Sequence, residues 1–498
     1  MGAMLKKLLI FVHRWMGVTL CLLFLLWFLS GMVMMYWTYP EVTPADRLSR
    51  AQVLEASRIR LSPQKAFALL ESKEAPSDLR LEMFDGRPAY KFDFTGEKFI
   101  VYADNGEMQT DLPEEMSLRI ASAWSGQPPA TARVEKIKEA DQWTVSGQFD
   151  ELRPLLKYTW PDGEAVYVST VTGEVVQYTT RASRLAAYFG AIPHWVYFTP
   201  LRKHASKWAQ FVIWVAGLGT VAALLGIIVG VWTYSPSKSF QYKGEPSTLP
   251  FVGQKRWHSI LGLIFGCVAC TWAFSGMLSM DPFPKLQHGE GGAQARMAEV
   301  LQGEPFQLRD FDAKMPQEAL AQVDPVFRAK ELTFTSFAGK PFYLAAAALN
   351  ETRIIPVHGE PAAEFDASKI IQAMNDAVQP HSLADARLMT EYDAYYQDRH
   401  KQRPLPVIFV RVNDEENSTY YVDPKTARIV QSYNSRSRWN RWFYHGLHSI
   451  DFPLLYKRRP LWDIIVLTLL LGGSSLSVTA LILAGGVLRR KLIPISRR

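Results

Sequence analysis

Four of the ten histidines form two pairs, each made of one residue in two similar stretches of the chain. His13 opens the motif H-R-W-M-G, and His258 opens H-S-I-L-G 245 positions later. His194 and His448 lie 254 positions apart, and each precedes a tryptophan-led apolar run by 14 residues. Two imidazoles from facing helices are a standard axial set for haem iron. The pairs therefore predict two haem sites, and the alternative is that all four are interfacial residues at the ends of apolar runs.

The histidine pairs belong to an internal duplication of the whole chain. The repeated motifs include Ser30-Gly31-Met32 with Ser275-Gly276-Met277, Gly86-x-Pro88-x-Tyr90 with Gly339-x-Pro341-x-Tyr343, and Arg153-Pro154-Leu155 with Arg403-Pro404-Leu405. Each half reads as an apolar span, a large polar segment and a second span, in parallel orientation. Repeats of this kind are related by an axis along the membrane normal. Duplicated side chains that face this axis can converge on one ligand.

The chain of 498 residues is 48% hydrophobic and 21% charged, and its apolar residues are concentrated in four long runs. A helix needs about 20 apolar residues to cross the hydrocarbon core of a bilayer. Each run is long enough, so we predict four transmembrane helices. They are Leu8–Tyr36, Trp208–Val231, Ile260–Met280 and Trp462–Val487.

Lysines and arginines cluster in the loop between the second and third runs and in the C-terminal tail. Because positive residues flank spans on the cytoplasmic side, we predict that this loop and both termini are cytoplasmic. The two large segments then lie outside the cytoplasm, which is the periplasm if the cell is Gram-negative, and the spans then lie in its inner membrane. The same distribution accounts for the net charge of +7, so we expect no nucleic-acid partner. All three cysteines lie in the predicted spans, which excludes a disulfide scaffold.

The predicted fold class is an integral membrane protein with four transmembrane helices in two parallel span–domain–span repeats. Each extracytoplasmic domain is predicted to be α+β, because helical starts are followed by alternating strands and short turns. The predicted boundaries are 1–36 (first span), 37–207 (first outer domain), 208–234 (second span), 235–257 (cytoplasmic loop), 258–280 (third span), 281–461 (second outer domain), 462–488 (fourth span) and 489–498 (cytoplasmic tail).

His445 complicates the second histidine pair, because it lies three residues before His448 and shares its face if the stretch is helical. Its counterpart in the first half is Ala191, so the duplication favours His448 as the ligand. His204 corresponds to Arg458 and is predicted to be solvated or at the lipid headgroups. The remaining histidines have no counterparts and are predicted to be surface residues. They are His288, His358, His381 and His400.

Basic residues flank both histidine pairs, and arginine suits carboxylate binding, so haem propionates and lipid headgroups are both candidate partners. These residues are Arg14, Arg256, Lys203, Lys457, Arg458 and Arg459. The chain carries no P-loop, no H-E-x-x-H and no G-x-S-x-G motif. The predicted cytoplasmic parts are too short for a flavin or nicotinamide domain. Electrons that enter the chain would therefore come from a separate cytoplasmic reductase or from quinol.

Three stretches carry a resemblance to a known family. They are H-R-W-x-G at the start of the first span, Y-V-D-P-K-T-A-R-I-V at Tyr421–Val430, and Y-H-G-L-H-S-I-D-F-P-L-L-Y at Tyr444–Tyr456. They resemble the PepSY-associated transmembrane family, and the similarity extends over nearly the whole chain. Some members with this architecture are haem-containing inner-membrane reductases that release iron from siderophores by reducing Fe(III) to Fe(II) in the periplasm.

The resemblance implies two PepSY-like outer domains and two b-type haems. It implies that His13 and His258 are the axial ligands of one haem, and His194 and His448 those of the other. It also implies that a ferric siderophore or another Fe(III) chelate is the electron acceptor and docks beside the outer haem, between the two domains. Four residues lie near that region in the sequence: Tyr197, Tyr444, Arg438 and Arg441.

The leading hypothesis is therefore transmembrane electron transfer through two bis-histidine haems, with ferric or ferric-siderophore reductase activity. One alternative is a membrane-anchored PepSY protein that binds and regulates a peptide or protease without catalysis. That alternative leaves the paired histidines without a role. A second alternative is an accessory protein for iron or copper uptake, in which the histidines bind the metal directly. The predicted spans contain no acidic residue other than Asp463 at the start of the fourth, which weakens this alternative.

Overall fold

The computed structural model describes residues 2–72, 74–94, 97–282, 290–303, 307–324, 326–398 and 402–492. The helices are α1 (Gly2–Met34), α2 (Pro44–Arg50), α3 (Pro63–Ala68), α4 (Glu114–Ser125), α5 (Arg181–Phe189), α6 (Ala191–Trp195), α7 (Thr199–Arg202), α8 (Ala205–Thr233), α9 (Gln254–Leu278), α10 (Glu290–Gln302), α11 (Pro316–Val323), α12 (Ala367–Ala377), α13 (Ser435–Asn440), α14 (Leu447–Ser449), α15 (Pro453–Tyr456) and α16 (Leu461–Leu492), with a π-helical turn at Arg441–Gly446 between α13 and α14.

The strands are β1 (Asp78–Phe84), β2 (Arg87–Asp93), β3 (Lys98–Tyr102), β4 (Arg133–Ile137), β5 (Leu155–Thr159), β6 (Ala165–Ser169), β7 (Val175–Thr179), β8 (Phe240–Tyr242), β9 (Glu245–Ser247), β10 (Glu331–Phe337), β11 (Lys340–Ala348), β12 (Glu351–Pro356), β13 (Leu383–Met389), β14 (Val407–Val412), β15 (Thr419–Asp423) and β16 (Arg428–Tyr433).

Four helices, α1, α8, α9 and α16, are long and apolar enough to cross a membrane. This confirms the four predicted spans, and the protein is a membrane protein with β-rich parts outside the spans. The helices extend beyond the apolar runs. For example, α9 begins at Gln254 rather than at Ile260, and it includes Lys255 and Arg256. Long basic side chains can lie along a helix and still reach water, so charge does not end the helix there.

The four spans pack as a bundle in which α1 contacts α8 and α16, and α9 contacts the same two helices. The helices α1 and α9 therefore lie diagonally across the bundle. Glycines allow aromatic rings to enter the interior: a side chain on Gly473 of α16 would overlap the ring of Phe28 from α1, and one on Gly472 would overlap Phe265 from α9. Close approach of this kind is a common way of packing helices in membranes.

A six-stranded antiparallel sheet, which we call the shared sheet, contains strands from both large segments in the order β12-β11-β10-β1-β2-β3. Its two halves meet where Leu81 of β1 pairs with Leu332 of β10. The sequence predicts a separate domain in each segment, whereas the structure joins the two across this strand pair. An unpaired edge strand is prone to aggregation, and pairing β1 with β10 removes one edge from each half.

Each large segment also forms a four-stranded antiparallel sheet of its own, β4-β5-β6-β7 in the first and β13-β14-β15-β16 in the second. Helix α4 packs on the first of these sheets, and α12 packs on the second. Short helices follow the last strand in each case and lead directly into α8 or α16. The described elements thus occur in the same order in both halves.

The loop between α8 and α9 forms a small hairpin of β8 and β9, on the side of the membrane opposite the large sheets. Arg256 holds it: its Nη1 donates to the Ser247 hydroxyl at 2.7 Å, and its guanidinium lies 4.4 Å from the ring centre of Tyr242. We refer to the two faces of the membrane as the sheet side and the hairpin side.

A buried group of charges lies at the centre of the shared sheet. The Lys91 ammonium lies 2.6 Å from Glu82 Oε1 and 3.0 Å from Glu174 Oε1. Arg47 binds Glu82 at 3.0 Å and also contacts Glu331 from the other half of the sheet. Buried ion pairs contribute little net stability compared with apolar packing, but leaving one partner behind is costly. This group therefore makes the junction of the two halves sensitive to the loss of a single charge.

Substitution Lys91→Met should lower the free energy of unfolding by about 3–5 kcal/mol, because it removes the buried ammonium that Glu82 and Glu174 share. The control is Lys98→Met on the neighbouring strand, where Lys98 makes an exposed pair with Asp93 at 3.2 Å and the expected loss is below about 1 kcal/mol. Denaturant unfolding of the two variants and the wild type in detergent measures both losses. Equal losses in the two variants would contradict the role given to the buried group.

Candidate functional site

The hairpin-side histidine pair lies in the interior of the bundle. His13 of α1 and His258 of α9 face each other with ring centroids 6.2 Å apart. The Nδ1 atom of His13 is 2.9 Å from the carbonyl oxygen of Ala222 on α8, and that of His258 is 3.1 Å from the hydroxyl of Thr479 on α16. All four spans therefore contribute to this pair.

The sheet-side histidine pair lies where the short helices meet the ends of the spans. His194 of α6 and His448 of α14 have ring centroids 5.9 Å apart. Their Nδ1 atoms lie 3.1 Å from the Ser30 hydroxyl and 2.9 Å from the Ser275 hydroxyl, respectively. Burial lowers the pKa of His194 to about 4 and that of His448 to about 3, so both imidazoles are neutral at pH 7.

The hydrogen bonds determine which ring nitrogen carries the proton. A carbonyl oxygen only accepts, so His13 donates from Nδ1. Ser30 already donates to carbonyl oxygens of its own helix, as do Ser275 and Thr479. A hydroxyl has one proton, and donation to a carbonyl leaves its oxygen to accept from the histidine. With Nδ1 protonated in this way, each Nε2 keeps a lone pair for a ligand bond, an arrangement common in metal-binding histidines.

The spacing of each pair fits two imidazoles on opposite sides of one metal ion. A metal–nitrogen bond of about 2 Å on each side, with about 1 Å from each nitrogen to its ring centre, places the ring centres about 6 Å apart. Nowhere in the described part of the chain do three or more His, Cys, Asp and Glu side chains form a metal-binding group. Two facing histidines without a third protein ligand fit haem, whose four nitrogens fill the remaining positions, better than a bare ion.

Each pair opens into its own cavity. The sheet-side cavity has a volume of about 440 Å³ and contains His194, His448, Trp27 and Trp272 in its lining. The hairpin-side cavity has a volume of about 350 Å³ and is lined by His13, His258 and other residues. Both volumes fall in the range typical of ligand and cofactor sites. The linings are mainly apolar, which suits a flat hydrophobic cofactor.

The two cavities share a wall. The side chains of Phe24, Phe28 and Ala269 line both of them. The rings of Phe24 and Phe28 stack with centroids 6.3 Å apart, and Phe28 lies 5.8 Å from Trp272. Groups bound in the two cavities would therefore be separated by about one layer of aromatic side chains.

The remaining histidines are not members of the two facing pairs. His445 is exposed on the π-helical turn at Arg441–Gly446. Its ring and that of His448 both lie against Tyr444, but only His448 lines the sheet-side cavity. His204 is exposed at the start of α8. Two unpaired histidines, His358 and His381, are exposed, while His288 and His400 lie outside the described residues.

The residues expected near an acceptor divide into two groups. Tyr197 and Tyr444 line the sheet-side cavity. Arg438 instead donates to Thr419 in the second four-stranded sheet, and the buried Arg441 forms an ion pair with Asp451 at 2.9 Å. These arginines therefore hold loops together and do not line the cavity.

Sequence reasoning missed the residues that orient the histidines. Ser30 and Ser275 are visible as a duplicated S-G-M motif, but nothing in the sequence says that they bond to histidines more than 160 positions away. Gly226 was also missed, although its lack of a side chain makes room for His13. The signal that could have found the serines is that each lies 17 positions after the first histidine of its half.

The substitution Gly226→Ala should lower the free energy of unfolding by about 1–3 kcal/mol, because overpacking forces neighbours out of place. A Cβ atom there would lie 2.7 Å from Cε1 of His13. The control is Gly17→Ala in the same cavity, where the added Cβ meets no atom within 4 Å, and stability should be unchanged or rise by up to about 1 kcal/mol. Thermal unfolding of both variants in detergent tests this, and a harmless Gly226→Ala would contradict the placement of His13.

Comparison with known proteins identifies the family. The family described as the PepSY-associated TM region matches residues 11–320, which is more than half of the chain. The match includes the first three spans, the first histidine pair and His194. A comparison with curated proteins gives no match. The chain therefore belongs to the PepSY-associated transmembrane family.

Proposed function

We propose that the protein transfers electrons across a bacterial inner membrane through two b-type haems and reduces Fe(III), free or in a siderophore, on the sheet side. In this proposal the sheet side is the periplasm, and the hairpin and both termini are cytoplasmic, as the basic residues on the hairpin side favour. The protein would be an oxidoreductase, and its electrons would come from a cytoplasmic reductase or from quinol.

The observation that carries the proposal is the pair of imidazoles in each of two cavities of one bundle. In both pairs Nδ1 is engaged by a neighbouring helix and Nε2 is left for a ligand. The side chains would hold haem by its iron, orient it by hydrogen bonds at Nδ1, and keep water away with the apolar lining. Haem held in this way supplies one-electron exchange between the ferric and ferrous states of its iron.

The separation of the two pairs supports transfer across the membrane. On α1, the hairpin-side ligand is His13, and Ser30 holds the sheet-side ligand His194. The 17 positions between them correspond to about 25 Å along a helix, close to the about 30 Å of the hydrocarbon core. The two haems would therefore lie near opposite faces of the membrane.

The proposal includes the two parallel repeats, with a PepSY-like domain in each. Equivalent positions make equivalent contacts: Ser30 binds His194, and Ser275 binds His448. The indole N–H of Trp208 donates to the carbonyl of Trp195 before its span, and that of Trp462 donates to the carbonyls of Ser449 and Ile450. Contacts that recur in this way are expected of a duplicated unit.

An Fe(III) chelate is a suitable acceptor because its reduction releases the iron. Hard oxygen ligands hold Fe(III) far more tightly than Fe(II), so a single electron loosens the chelate. The sheet-side cavity lies at the end of the bundle that faces the large sheets, and Tyr197 and Tyr444 line it. An acceptor that docks between the two halves of the sheets would approach this cavity.

Single alanine substitutions test the ligand assignment. His13→Ala or His258→Ala should remove the hairpin-side haem, and His194→Ala or His448→Ala the sheet-side haem, because six-coordinate iron loses an axial ligand. Wild-type protein should contain about two haems per chain, and each variant about one. The measurement is haem content and the reduced-minus-oxidised absorption spectrum of purified protein. His204→Ala, which alters an exposed histidine, is the control and should change nothing.

A second measurement distinguishes electron transfer across the membrane from haem binding. Chemically reduced His258→Ala protein should still be reoxidised by a ferric chelate, since its sheet-side haem remains, but in sealed vesicles it should pass no electrons from the hairpin side. A colourless wild-type protein after expression with ample haem would remove the proposal. If the His13→Ala and His258→Ala proteins both still contain two haems per chain, the assignment of these two histidines as ligands is wrong and the rest of the proposal stands.

A further inference from the structure

Arg202, at the end of α7, carries a buried charge that the fold does not neutralise. Its side chain is only 9% exposed, and its buried Nε has no hydrogen-bond partner among the described residues. The guanidinium lies between two aromatic rings, 4.9 Å from the ring centre of Tyr197 and 4.5 Å from that of Trp208. Its counterpart in the second half is Tyr456, so this charge occurs once.

A buried cation of this kind needs an anion. Stacking on aromatic rings stabilises a guanidinium only in part, and a buried N–H group without an acceptor costs free energy. Within the parts of the chain that the structure describes, Arg202 forms no ion pair, and its buried Nε has no hydrogen-bond partner. The fold thus keeps open a position for a negatively charged group.

The position of Arg202 indicates that the negatively charged group binds at the sheet-side cavity. Tyr197 and Trp208, the two rings that hold Arg202, are both part of its lining. That lining contains no charged side chain among the described residues, whereas the hairpin-side cavity is lined by Arg14, Lys255 and Arg490. Arg202 is not itself part of the lining. Two cations stack on rings of the lining: Arg459 lies 5.3 Å from the ring centre of Trp462 but is paired with Asp463, whereas Arg202 stacks on Tyr197 and Trp208 without an ion pair among the described residues.

We propose that Arg202 is the carboxylate-binding residue of the sheet-side cavity. A planar guanidinium with several N–H donors matches a carboxylate in a bidentate pair, and such pairs are among the strong hydrogen bonds of proteins. The carboxylate has two sources, a haem propionate or an external Fe(III) chelate with carboxylate groups. The first source rests on the proposed function, and the second does not require haem.

The experiment uses full-length His258→Ala protein as the background, because it keeps only the sheet-side site. Three substitutions are added to it one at a time: Arg202→Leu, Arg202→Lys and the control Lys203→Leu. Lys203 is adjacent and exposed. Spectroscopic titration of haem-free protein measures the affinity for haem and for haem dimethyl ester, which lacks the propionate charges. Calorimetry measures the affinity for gallium(III) citrate, a redox-inert carboxylate chelate, in the same proteins.

A propionate partner predicts that His258→Ala protein binds haem about tenfold to hundredfold more tightly than the ester, and that Arg202→Leu abolishes this preference. An external partner predicts no such preference, but about tenfold weaker binding of gallium citrate in Arg202→Leu. Lys203→Leu should change neither. If Arg202→Leu fails to fold, Arg202→Lys should show an intermediate loss, because it keeps the charge without the planar fork.

Unchanged affinity for all three probes in the Arg202 variants would overturn this inference and leave the proposed function intact. Protein that takes up no haem in any form would contradict the proposed function instead. In that case the gallium citrate measurement alone tests the carboxylate-binding role of Arg202. That role is overturned if gallium citrate does not bind, or if Arg202→Leu leaves its affinity unchanged.

Discussion

The hydrogen bond at Nδ1 of each paired histidine is the interaction on which the arrangement of the bundle depends. An imidazole on a span can rotate, and its Nε2 faces its partner only if Nδ1 is held elsewhere. Each of the four acceptors lies on a different element from its histidine: Ala222 on α8, Thr479 on α16, Ser30 on α1 and Ser275 on α9. Correct packing of the four spans is thus a condition for two facing imidazoles, and not only for stability.

The shared sheet joins the two halves of the chain outside the bundle. The segments that carry His194 and His448 follow the two four-stranded sheets directly and enter α8 and α16 after a few residues. Pairing of β1 with β10 joins the two halves, and the buried charges around Lys91 make that junction sensitive to its register. The four-stranded sheets thus precede the segments that carry the sheet-side histidines, although no strand lines that cavity among the described residues.

The four spans and the two histidine pairs were predictable from the sequence. The shared sheet and the burial of Arg202 were not, for physical reasons. The spans and the duplicated histidines follow from hydropathy and from an offset between motifs, which are local signals. The shared sheet was not predictable, because β1 and β10 pair across about half of the chain and either could have remained an edge strand. Arg202 has no motif, and its burial is visible only in the tertiary structure.

The wall between the two cavities distinguishes an electron path from an ion path. An ion or a proton needs polar groups or water at each step across a bilayer, and polar groups in spans mark such paths. Phe24, Phe28 and Ala269 supply none, and Gly473 allows the ring of Phe28 to fill the gap between helices. An electron needs only a short distance between its carriers, so a thin apolar wall permits its passage while blocking water. The packing of this wall is therefore compatible with the proposed electron transfer, and it offers no polar step for an ion.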